Sequence, residues 1–174
     1  MMKQQDLPMD RIGTEPVQKP GSSKQDYGTP RAFVDACEAR FGRFVCDLAA
    51  TAENAKAPEW YDEIVDSLAA SSAWSTDYPD GNLWLNPPFG NLARWAAKCA
   101  REAVLRRGLI IMLTPASIGT DWFAQHVHDR AMVLGIAPRL AFEGCTDAYP
   151  KDLMISVFGM GLRGFDVWRW KAAA

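Results

Sequence analysis

The run Leu109-Ile110-Ile111-Met112-Leu113 is apolar at every position and follows directly on Gly108. Five residues are too few for an ordinary helix, and a run without a polar position has no face to offer water. It therefore reads as a strand buried on both sides. Such a strand needs helices above and below it, which selects an α/β fold: a mostly parallel, twisted sheet with helices on both faces.

The remaining segments supply parts of that kind. Asn82 to Leu85 reads as a strand that must end at Pro87 and Pro88, because proline cannot donate to a ladder. Arg43 to Ala50 reads as a short strand carrying Asp47 toward its C-terminal end, with Met132 to Ile136 and Leu153 to Phe158 as two more. From Leu92 to Arg107, the residues Leu92, Trp95, Ala96, Cys99, Ala103 and Val104 recur at helical spacing, while Arg94, Lys98, Arg101 and Arg106 fall elsewhere. This predicts an amphipathic helix with a basic outer face. A second helix is expected from Phe33, Val34, Cys37 and Phe41, with Thr29 as N-cap, Pro30 in the first turn and Gly42 as the stop. A third runs from Thr120 or Asp121 through His128, and a further short element lies near Tyr61 to Leu68.

A length of 174 residues fits one domain, and 48% apolar with 23% charged residues is the mixture of a soluble protein. Residues 1–25 are rich in Gln, Lys, Pro, Gly and Ser without apolar periodicity, so they are expected as a flexible tail ahead of a domain spanning 26–174. No run is long enough for a membrane span and no signal-peptide pattern opens the chain, which suggests a cytoplasmic protein. Cys37, Cys46, Cys99 and Cys145 form no C-x-x-C pair, and only His126 and His128 could supplement them. No metal site is expected, and the thiols read as reduced residues in or near the core. The formal net charge of −2 means that any nucleic-acid surface must be a local concentration of cations.

Open parallel sheets bind ligands beyond the C-terminal ends of their strands, which puts Asp47, Asn86 and Pro115 on one rim. There Asn86-Pro87-Pro88-Phe89 carries a specific chemistry. The lone pair of an aromatic exocyclic amine is delocalised into its ring. Two acceptors, the Asn86 side-chain oxygen and the Pro87 carbonyl, could draw that nitrogen toward tetrahedral geometry, while Phe89 offers a face for stacking a base. A bare N-P-P-F also serves as a strand-ending turn. Its position immediately after an apolar strand and before a helix favours the functional reading.

Asn86 to Phe89 resembles the signature of amino-group methyltransferases, in which Asp, Asn or Ser precedes Pro-Pro and Tyr or Phe. More widely, Tyr27-Gly28-Thr29-Pro30, Cys46-Asp47-Leu48-Ala49-Ala50 with Asn54-Ala55-Lys56, Asp66-Ser67-Leu68 before Trp74, Leu83 to Gly90, Leu113-Thr114-Pro115-Ala116 with Trp122-Phe123, and Arg139-Leu140-Ala141-Phe142 with Tyr149-Pro150 resemble, in order, the blocks of the phage-type, Dam-like DNA N6-adenine methyltransferases. The resemblance implies a Rossmann-like fold, S-adenosylmethionine (SAM) as methyl donor, double-stranded DNA as partner, and an adenine-specific enzyme of the host cytoplasm if phage-encoded. It implies catalytic roles for Asn86, Pro87, Pro88 and Phe89, and cofactor contacts from Thr29, Pro30, Asp47, Ala49, Asn54 and Asp66. Asp47 would lie toward the methionine end and Asp66 toward the adenosine. The Gly-x-Gly turn usual after the first strand is replaced here by Leu48-Ala49-Ala50-Thr51.

For DNA the candidates are Arg139, Arg94, Lys98 and Lys151, with Arg101, Arg106 and Arg107 on the same basic helix. Trp84, Trp95 and Trp122 are alternatives to Phe89 for stacking, although their spacing also suits the core. An N4-cytosine DNA methyltransferase, a protein-glutamine methyltransferase and an inactive nucleic-acid-binding module are the competing readings. The target sequence and the oligomeric state are not written in the chain.

Overall fold

Ile110–Pro115 is buried at every position and forms the fourth strand of a seven-stranded sheet. The structure is a computed structural model and describes residues 28–172, so the expected tail at 1–25, together with Tyr27, lies outside the described residues. In chain order the elements are α1 (Arg31–Phe41), β1 (Phe44–Asp47), β2 (Glu59–Trp60), α2 (Trp74–Asp77), β3 (Asn82–Leu85), α3 (Leu92–Ala103), β4 (Ile110–Pro115), α4 (Asp121–His126), β5 (Ala131–Ala137), β6 (Leu153–Phe158) and β7 (Gly164–Arg169). A single 3₁₀ turn, Phe89–Asn91, joins the N-P-P-F segment to α3.

The strands lie in the order β2-β1-β3-β4-β6-β5-β7. All pairings are parallel except those of β6, which runs against both β4 and β5. The sheet is thus mostly parallel, as expected, with one reversed strand inserted. Helices cover both faces unequally. On one face α1 sets Phe33, Val34 and Cys37 against Trp84, Ile111, Leu134 and Ile155. On the other, α3 and α4 set Trp95, Cys99 and Phe123 against Leu83, Leu85, Ile110 and Met112.

Several local expectations are corrected. Thr29 does not cap α1: Pro30 keeps an extended ψ of 134°, no side chain caps the helix, and the Pro30 carbonyl accepts from the Phe33 and Val34 amides. The element expected near Tyr61 to Leu68 is instead β2, two residues long and just before Tyr61. The long basic helix stops at Ala103, leaving Val104 exposed rather than on the apolar side. Cys145 is exposed, unlike the other three cysteines. β7 has no counterpart in the expectations; its mostly exposed positions carry no apolar run to mark it.

The chief correction concerns the basic face of α3. Lys98 is buried, and its ammonium donates to the carbonyls of Ser67 (2.7 Å), Ala69 (3.0 Å) and Ser72 (2.6 Å) while standing 4.7 Å from the Trp74 ring centre. The segment between β2 and α2 has few ladder bonds of its own, and a point charge with three donors satisfies carbonyls that would otherwise be buried unpaired. Arg106 is also buried, its guanidinium donating to the carbonyls of Tyr78, Gly81 and Leu109. Alongside, Gly108 is required by close approach, since a Cβ there would collide with the Gly81 carbonyl. Neither cation can reach a phosphate.

Lys98→Met preserves the stem but orphans three carbonyls. It should cost about 3 kcal/mol of stability and leave the salt dependence of any DNA binding unchanged. Urea unfolding and binding titrations at several salt concentrations check the two halves of this expectation separately.

Candidate functional site

From β1 the chain departs toward β2 on one side, and from β3 it departs toward β4 on the other. The neighbouring C-terminal ends of β1 and β3 therefore flank a crevice that no crossover fills, the position at which doubly wound sheets bind ligands. A cavity of about 240 Å³ opens there, walled by residues that include Gly28, Thr29, Asp47, Ala49, Asn54, Asp66, Asn86 and Trp95.

Asp47 ends β1 and is buried. Its Oδ1 accepts from the Ala49 amide at 3.2 Å and its Oδ2 from the Lys56 amide at 3.0 Å. One carboxylate thus folds the loop after β1 back over the strand end. Burial outweighs these two bonds and pushes the Asp47 carboxyl up to about 6. Ala49 and Ala50, which stand in place of the usual Gly-x-Gly turn, line the cavity with single methyl groups.

Of the expected cofactor residues, Thr29, Asp47, Ala49, Asn54 and Asp66 line the cavity, whereas Pro30 does not and serves α1 through its carbonyl. Thr29 is buried, and its hydroxyl makes no hydrogen bond among the described residues. Asp66 is exposed with φ of 43°, and its Oδ1 accepts from the Leu68 amide. Of the tetrapeptide, Asn86 and Pro88 face the cavity, while Pro87 is buried outside its wall. Phe89 is half-buried, its ring centre 6.5 Å from that of Phe142 and 6.1 Å from that of Tyr149. These rings form an aromatic cluster with one another, and none of the three lines the cavity itself. Trp84 and Trp95 are core residues that also touch the cavity; Trp122 packs against Phe123 away from it.

Residues that sequence reasoning gave no role include Lys56, Tyr61, Asp62, Glu63 and Ser67, all of them cavity residues. They sit in loops without periodicity, where only the fold brings them to the strand ends. With Asp47, Asp62, Glu63 and Asp66 against Lys56 alone, the walls carry more acid than base. Such a site fits a cationic ligand. The buried carboxyl of Asp47 and the hydroxyl of Thr29 together suit a ligand bearing both a positive charge and hydrogen-bonding groups, as a sulfonium amino acid does.

None of the expected DNA residues lines the cavity. Arg94 and Lys151 are exposed. Arg139 stands half-exposed, with Nε 2.9 Å from Asp152 Oδ1 and Nη1 donating to the Pro150 carbonyl at 3.2 Å. Arg101 and Arg107 are exposed beside Glu102 and Asp80 respectively.

The Asp47 carboxyl gives the site a pH signature. In the folded chain it holds its proton to about 6 against an ordinary 3.8, so between those values the folded state binds more protons than the unfolded chain. The stability it contributes is full below the lower value and lost as pH rises through the upper. Relative to Asp47→Asn, which cannot titrate, the wild type should lose about 2–3 kcal/mol of stability between about pH 4 and pH 7. Urea unfolding of both proteins across that range measures it; parallel curves would contradict the burial argument.

Against known proteins, the family model described as DNA N-6-adenine-methyltransferase (Dam) matches residues 17–153. A curated relative, the DNA N-6-adenine-methyltransferase of Escherichia phage T1, is 28% identical over 117 residues, which cover 67% of this chain and 47% of that protein. The chain thus spans about half the length of this relative. Among solved structures, that of a predicted O-methyltransferase from Agrobacterium tumefaciens aligns over 78% of this chain and 85% of its own at 17% identity, with a TM-score of 0.42.

Proposed function

The chain belongs to the DNA N-6-adenine-methyltransferase family, and from that premise we propose that it transfers a methyl group from SAM to the exocyclic N6 of adenine in double-stranded DNA. One observation carries the reading: the buried Asp47 and Asn86, delivered by adjacent strand ends, line the same cavity. One position suits a cationic donor and the other an amine acceptor.

In this reading Asp47, Thr29, Ala49, Asn54 and Asp66 hold the cofactor, which when bound supplies an electrophilic methyl group. Pro30 contributes by starting the helix behind Thr29. Asn86 and the Pro87 carbonyl accept hydrogen bonds from the adenine amine and orient its lone pair, while Pro88 keeps the loop from rejoining the sheet. The cluster of Phe89 and its neighbouring rings excludes water from one side of the extruded base. Arg139, Arg94 and Lys151 are proposed as phosphate contacts, with Lys98 now excluded. The catalytic unit is residues 26–174, preceded by a tail at 1–25, and it works in the cytoplasm.

Methyl transfer from labelled SAM to unmethylated DNA, followed by nucleoside analysis, tests the proposal. N6-methyladenine is expected. N4-methylcytosine would replace the adenine assignment, and no transfer would overturn the enzymatic one. Asn86→Ala should lower kcat by about 100-fold or more with the fold intact by thermal unfolding; retention within about threefold would remove Asn86 from the chemistry.

For the phosphate surface, Arg139→Ala should weaken DNA binding evenly across sequences and reduce the salt slope by about one unit. Lowered thermal stability with an unchanged slope would assign Arg139 instead to its pairing with Asp152.

A further inference from the structure

Lys56 is anchored through three separate groups. Its amide donates to Asp47 Oδ2 at 3.0 Å, and its carbonyl accepts from Arg31 Nη1 at 3.1 Å. Its Nζ reaches across the rim to Glu143 Oε1 at 2.8 Å. The lysine side chain is only 11% exposed, while its partner on the rim is 44% exposed. Glu143 is held in turn by its own amide, which donates to the Gly28 carbonyl at 2.9 Å, and a Cβ on Gly28 would collide with the Glu143 carboxylate. The residue before Glu143 is Phe142, whose ring contacts Phe89 and Tyr149.

These contacts form a continuous path from the carboxylate at the end of β1, through one lysine, to the loop 138–152 and the ring cluster of Phe142, Tyr149 and Phe89. No covalent neighbour connects the loop after β1 with the loop 138–152. Among the described residues, the Lys56–Glu143 ion pair is the charged contact that does so. Gly28, at the other end of Glu143, lines the same cavity as Lys56 and Asp47, so both anchors of Glu143 are cavity residues.

We infer that Lys56 is a positioning residue: through its ion pair with Glu143 it couples occupancy of the cofactor cavity to the ordering of the base-binding loop 138–152. Ordering the loop after β1 around a bound cofactor fixes Lys56, which fixes Glu143 and, one residue away, Phe142. The two half-sites are then assembled together rather than independently, and the entropy of ordering the second loop is already spent when DNA arrives. Because the inference rests on the SAM-dependent reading above, its test begins with binding of SAM itself.

The experiment is calorimetric SAM binding together with amide hydrogen exchange, each protein being measured without SAM and at SAM concentrations saturating for it. In the wild type, SAM should slow exchange at the Glu143 and Tyr149 amides by about fivefold or more, the lower end of ordinary coupling between sites. In Lys56→Met, which keeps the stem, that slowing should fall below about twofold although SAM still binds. Glu143→Gln should behave alike and guards against a folding defect in the first variant. The reversed pair Lys56→Glu with Glu143→Lys should restore the slowing, which a purely structural role would not require. Undiminished slowing in either single variant overturns the inference while leaving the methyltransferase reading intact. Failure of the wild type to bind SAM overturns both.

Discussion

Two adjacent parallel strands, β1 and β3, hand the chain off in opposite directions, and the site depends on that divergence. A crossover helix ordinarily fills the space above a strand end. Here one crossover leaves to each side, so the crevice between the two ends stays open and receives whatever side chains terminate the strands. Asp47 is the last residue of β1, Asn86 is the first residue after β3, and both line the crevice. The register fixes their relation, since Asp47 pairs with Trp84, two residues before Asn86. Asp47 at one strand end and Asn86 one residue past the other thus line one cavity.

The same economy governs charge. A chain of net charge −2 has few cations to spare for a polyanion, and the fold uses two of them, Lys98 and Arg106, inside. Each holds together carbonyls of segments that make few ladder bonds: the link from β2 to α2, and the turn leading into β3. The first of these segments carries the cavity residues Asp62, Glu63, Asp66 and Ser67, whereas the second leads into the N-terminal end of β3, at the rim away from the cavity. Two cations that read as part of a basic outer face in the sequence are therefore committed to holding the fold together.

Legibility followed hydrophobic periodicity. β3 and β6 have the boundaries read from the sequence because mostly apolar runs stop abruptly, at Asn86-Pro87 and at Gly159. Asp47 and Asn86 could be placed on one rim for the same reason. Lys98 could not be placed, because it lies on the border of the apolar stripe of α3 and only the incoming loop carbonyls decide which way it turns. Lys56, Asp62 and Glu63 reach the cavity from irregular segments, where no period reports position. β7 escaped because an edge strand with Phe165 and Val167 exposed has little burial pattern to display.

The missing Gly-x-Gly turn has a physical replacement. A glycine-rich turn lets backbone amides approach a ligand because nothing intervenes. Here the loop after β1 instead winds around Asp47, whose two oxygens take the amides of Ala49 and Lys56. The carboxylate does locally what glycine does by conformational freedom: it holds a tight turn, and alanines keep the wall thin. The cost is desolvation, visible in the raised pKa of the group. A cation entering the cavity would offset that cost, because it favours the ionised form that the two amides already prefer. The turn that shapes the site and the charge that selects its ligand then reside in one residue.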